Sequence, residues 1–177
     1  MAGTRATFVQ RVGLALVAPR WALAVADDPR HPGRPGTDLV RLLVGVILCV
    51  QTRALVGAAW LGAVAGASIG GRALLRAVAD PLTLPLVLLV AATGVLWLGG
   101  GPRRAVGRAF DLACVALVPL VVVELVGTLL FRAALDASPP VRTAALGIGF
   151  AWAGALVALA LVQMRRPPGA LARAEAT

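Results

Sequence analysis

"DLVRLLVGVILCVQTRALVGAAWLGAVAGASIGG" (residues 38–71) decides how often this chain crosses a membrane. An upright crossing takes about 20 apolar residues, so the stretch is too long for one and awkward for two. A hairpin would have to reverse at "QTR" (51–53), yet no glycine, proline, asparagine or aspartate lies between Val46 and Val56 to make the turn. The reading is therefore one long, tilted helix. Read in steps of four, one row carries Arg41, Gly45, Cys49, Arg53 and Gly57, and a neighbouring row carries Ala58, Gly62, Gly66 and Gly70. Small residues at that interval let helix backbones approach closely in lipid, and the glycine-rich end is where the helix would break or lie at the interface.

Outward from this stretch lie three runs of crossing length. They are "PLTLPLVLLVAATGVLWLGGG" (81–101), "LACVALVPLVVVELVGTLLF" (112–131) and "AALGIGFAWAGALVALALVQM" (144–164). Asp80 and Pro81 suit the cap and first position of the first run, and the glycine triplet suits its end. The third is entered through "SPP" and stopped by "RRPPG". The expected fold is an all-α integral membrane bundle of four transmembrane helices, or five if residues 38–71 cross twice, with an N-terminal amphipathic arm. Residues 1–36 form the arm and its linker, 37–166 the bundle and 167–177 a cytoplasmic tail.

Composition and charge agree. Of the 177 residues 59% are apolar and 14% charged, against roughly 45–50% and about 25% in soluble domains. All 17 basic residues are arginine, giving a net charge of +9. With the aromatics mostly inside apolar runs, anionic lipid headgroups are the expected partner and nucleic acid is not. Four crossings with the N-terminus in the cytoplasm place eleven arginines inside and four outside, whereas five crossings leave nine and six. The positive-inside rule favours four, in the inner membrane of a bacterium.

The start, "MAGTRATFVQRVGLALVAPRWALAVADD", has some marks of a secretory signal, but Pro19, Arg20 and Trp21 interrupt its apolar stretch. It reads instead as an arm whose Phe8, Val12, Leu16 and Trp21 dip into the interface while Arg5, Arg11 and Arg20 meet headgroups. "DDPRHPGRPG" (27–36) reads as a non-helical linker.

Motifs for chemistry are sparse. Cys49 and Cys114 stand 65 positions apart and His31 is the single histidine, so neither a metal nor another cofactor is expected, and both thiols read as small core residues. "GASIG" (66–70) matches the G-x-S-x-G nucleophile elbow, but that chemistry needs a strand-turn-helix and a nearby histidine. Ser68 in a glycine-rich helix has neither, and no enzyme is expected. Trp152, too deep for an interfacial belt, reads as packing.

That leaves Glu124, inside "PLVVVELV" (119–126). A carboxylate at mid-membrane costs about 2.5–3.5 kcal/mol, so a partner, a proton or water is expected beside it. Pro119 cannot donate to the carbonyl of Val115 and should kink the helix one turn below the acid. Glu124 lies about 20 Å beyond Asp111 and Arg53 about 22 Å beyond Asp38 along helices leaving the same side. Arg53 is therefore the expected partner, with Gln51 as the alternative.

The order of an arm with "APRWALAVADDP", a first span, a later span closed by "GGG", a basic "PRRAVGRAFD" and a span with mid-helix Pro119 resembles bacterial members of the Yip1 family of multi-pass membrane proteins. The resemblance covers roughly residues 15–131 and implies a non-enzymatic helical membrane protein, one that lacks the family's usual last span. Two roles are open: a scaffold or subunit held by the buried charge pair, packing against other membrane proteins or against itself, and a small proton- or cation-coupled transporter using Glu124.

Overall fold

The computed structural model describes residues 7–27, 34–100, 105–133 and 139–166. They form seven helices: α1 (Phe8–Val17), α2 (Pro19–Ala26), α3 (Arg34–Val50), α4 (Thr52–Ala65), α5 (Ala67–Gly99), α6 (Val106–Ala133) and α7 (Pro139–Met164). No strand occurs among the described residues. Three helical stretches, Ala67–Gly99, Val106–Gly127 and Thr143–Met164, are long and apolar enough to cross a membrane, and α3 with α4 makes a fourth if the bent pair counts as one span. The all-helical membrane bundle expected from the sequence is the fold observed.

Helix α6 is its axis. Two thirds of its apolar window is buried, 67%, against 22% for α5 and for α7. Ala109, Leu112, Ala113, Cys114 and Ala116 are fully enclosed. Helices α3, α5 and α7 each pack along it. Gly36 at the start of α3 faces Phe110 at the start of α6, and Gly100 after α5 faces Met164 at the end of α7. One end of the bundle therefore gathers the starts of α3 and α6 and the ends of α5 and α7, so the chain runs out and back twice.

The path from α3 to α5 departs from the long helix expected. Helix α3 stops at Val50, and α4 leaves at 70° to it. Gln51 makes the bend at φ −102°, ψ 9°, a conformation open to any L-residue, so no glycine or proline is needed. The helical bonds on either side survive, with Gln51 N–H donating to Ile47 O and Leu55 N–H to Gln51 O, both at 2.8 Å. The Thr52 hydroxyl donates to the Leu48 carbonyl, a back-bond that tilts helices. The reversal comes later, at Gly66, whose φ of 102° favours glycine.

Other boundaries move as well. Helix α5 runs through Asp80, Pro81 and Pro85, so Asp80 caps nothing and the prolines sit inside. Arg34, Pro35 and Gly36, expected in the linker, open α3; residues 28–33, including His31, lie outside the described residues.

The arm is part of the bundle. Thr7 and Gln10 close a capping box at the start of α1, and Pro19 ends α1 and begins α2 as its first residue. Ala15, Ala22, Leu23 and Ala26 are buried in one apolar cluster with α3, α5, α6 and α7. An amphipathic helix with a protein face available buries its apolar stripe there as readily as in lipid.

Candidate functional site

Two ionic clusters lie at the charged end, and the first is built on Arg108 near the start of α6. Its Nε donates to Asp27 Oδ1. One Nη2 bond goes to Asp27 Oδ2 at 2.8 Å and another to Gln163 O at 3.0 Å, and Nη1 donates to Met164 O and Arg166 O, each at 3.2 Å. A guanidinium has five N–H donors, and these contacts use all five. Gln163 Nε2 adds a bond to Asp27 Oδ2 at 2.9 Å. The last carbonyls of a helix have no partner within it and carry negative partial charge, so Arg108 caps α7 while holding the carboxylate that ends α2. Side-chain exposure is 10% for Arg108 and 1% for Asp27.

The second cluster joins α1 to α3. Arg11 donates from Nε to Asp38 Oδ2 at 2.5 Å and from Nη2 to Asp38 Oδ1 at 2.7 Å, a bidentate fork. Arg41 stands one turn on at 3.9 Å. Hydrogen bonding to Asp38 holds the Arg11 guanidinium above its ordinary pKa, against the opposing effect of burial. Arg11, expected to meet headgroups, is instead turned inward onto this carboxylate. A cavity of about 40 Å³ beside the pair has room for little more than a water molecule.

The residues singled out from the sequence are differently placed. Glu124 is half-buried on α6 and is not without a partner; Pro119 below it is fully buried. Arg53 is exposed in the first turn of α4, and Gln51 is the bend itself. Helix α4 packs on α5, and α3 is the helix lying along α6. No ion pair among the described residues joins Arg53 to Glu124. Counting fourteen residues up each helix from the Gly36–Phe110 contact reaches Val50 on α3 and Glu124 on α6, both about 21 Å away. The acid thus stands level with the bend.

Ala58, Gly62 and Gly70 do meet. A Cβ on Gly70 would lie 2.3 Å from Gly62 Cα and 2.8 Å from the Ala58 carbonyl oxygen, so the two backbones of the α4–α5 hairpin are in contact. Gly66 lies outside that interface and makes its turn. Ser68 falls in the first turn of α5, which follows a helix and not a strand. Cys114 is buried as expected but Cys49 is exposed, and Trp152 is 43% exposed rather than packed inside. Among the described residues no three His, Cys, Asp or Glu side chains gather as metal ligands.

Sequence reading missed Arg11, Asp27, Asp38, Arg108 and Gln163. The signal was present: an out-and-back path puts positions 27, 38, 108 and 163 at one end, and opposite charges beside apolar helix ends seek each other. No family model, curated protein or solved structure matches the chain.

Proposed function

We propose that this chain is a non-enzymatic membrane scaffold or subunit of the Yip1 kind, seated in a bacterial inner membrane with its charged end in the cytoplasm. The observation that carries the reading is the commitment of two buried carboxylates to arginines. Asp27 and Asp38 are each held on both oxygens by an arginine, which fixes helices in register and leaves neither of these two charges free to cycle. Two of the segments that carry the resemblance, "APRWALAVADDP" and "PRRAVGRAFD", meet in the Asp27–Arg108 pair. The arginines support this orientation: among the described residues Arg11, Arg20, Arg34, Arg41, Arg108, Arg165 and Arg166 stand at the charged end and Arg53, Arg72 and Arg76 beyond the bend, the asymmetry that the positive-inside rule associates with a cytoplasmic face.

A transport reading has one observation in its favour. Glu124 stands level with the α3–α4 bend and one turn above Pro119, and broken helices beside a mid-membrane acid mark ion sites in transporters. Reconstitution of the full chain into liposomes with an internal pH dye separates the two. The scaffold reading expects no proton or alkali-cation flux above protein-free vesicles. Flux that disappears in Glu124→Gln while the Tm holds overturns it in favour of transport.

A further inference from the structure

We propose that the groove between α2 and α7 at the charged end binds an anionic phospholipid. The groove encloses about 320 Å³ and is lined by Arg20, Trp21 and Leu23 from α2 and by Leu159, Val162 and Arg166 from α7 and the turn after it. Among the described residues no carboxylate pairs with its charge. Arg20 and Arg166 are exposed, and among the described residues neither side chain has an ion-pair partner. Asp27, which Gln163 of the groove lining bonds, is already taken on both oxygens by Arg108 and Gln163. Two guanidiniums flanking one opening suit a phosphodiester, which accepts from planar N–H forks.

The rest of the lining selects a lipid over a dissolved anion. Leu159 and Val162 belong to a helix of membrane-crossing length, so the apolar wall continues the surface along which acyl chains run. Trp21 is 50% exposed and Val162 53%. An indole beside arginines at a helix end is the arrangement that settles at headgroup level. The volume holds a headgroup phosphate and the first carbons of a chain, with the remainder in the bilayer. Gln163 forms part of the floor and also bonds Asp27, so a lipid seated there clasps α2 against α7 where the Arg108 cluster already joins them. The inference rests on the membrane-embedded reading of α7 and not on the scaffold role, which the flux assay tests separately.

The test is the Tm of the full chain in neutral-detergent micelles supplemented with phosphatidylglycerol or phosphatidylcholine. Phosphatidylglycerol should raise the Tm above the phosphatidylcholine value by about 2–4 °C. Arg20→Gln with Arg166→Gln should abolish that difference and leave the Tm in phosphatidylcholine unchanged, whereas Arg72→Gln with Arg76→Gln should retain it. The proposal is overturned if the native chain shows no preference, if both double variants lose it equally, or if free glycerol phosphate does as well as the lipid. A second measurement covers misfolding of the first variant. With Trp60, Trp97 and Trp152 replaced by phenylalanine, Trp21 emission should be quenched more by chain-brominated phosphatidylglycerol than by brominated phosphatidylcholine at equal mole fraction. Equal quenching rejects the site.

Discussion

Arg108 is the residue on which the charged end depends, because its five donors all go to α2 and to the end of α7. Asp27→Ala leaves that guanidinium buried without its carboxylate and should destabilise the protein by about 3–5 kcal/mol, read from unfolding in detergent. Replacing both partners with apolar residues, Asp27→Leu and Arg108→Met, should recover most of the loss, since the desolvation penalty goes with the charges. Arg11 gives a pH prediction. Its pKa is raised in the fold by Asp38, so its contribution is complete below the unfolded value and is lost only as pH rises through the folded one, far above neutrality. The Tm difference between the native chain and Arg11→Gln should stay constant from about pH 7 to about pH 10. A difference that shrinks over that range contradicts the pairing. The out-and-back path puts these partners at one end, but their pairing was not legible along the chain, because composition places an arginine near a membrane surface without saying which carboxylate turns toward it.

At the scale of elements, the long apolar runs were legible. Residues 112–131 and 144–164 fall inside α6 and α7, where twenty apolar residues have no stable alternative to helix in lipid. The bend at Gln51 was not, because a backbone in the bridge region needs no marker residue. The small-residue row was legible as chemistry but not as geometry: Gly62 and Gly70 pack across a hairpin, and Gly66 between them supplies its turn. Gly70→Ala should force α4 from α5 and cost about 1–3 kcal/mol. Gly71→Ala, next to it with nothing within 4 Å of the added Cβ, should instead stabilise the helix by about 0.5–1 kcal/mol. Equal effects at the two positions would remove the case for backbone contact.

For the whole molecule, the out-and-back path brings the described first and last residues to one side. In a chain carrying Cys49→Ala and Cys114→Ala, Thr7→Cys and Arg166→Cys should react with a membrane-impermeant maleimide from the same side of sealed vesicles; labelling from opposite sides refutes an even number of crossings. The dog-leg of α3 and α4 has its own effect on the surrounding bilayer. With α3 upright, its 17 residues rise about 25 Å, and the 14 of α4, tipped by 70°, add only about 7 Å more. Together they rise about 32 Å from the level of Arg34 at the charged end, which leaves α4 nearly prone in a single leaflet. A prone helix widens the molecule on that side alone and gives it a wedge-shaped cross-section, which relieves stress in a monolayer stretched by curvature. In liposomes of mixed diameter, protein per unit area should therefore rise as diameter falls, and a density independent of size would mean that α4 stands more upright.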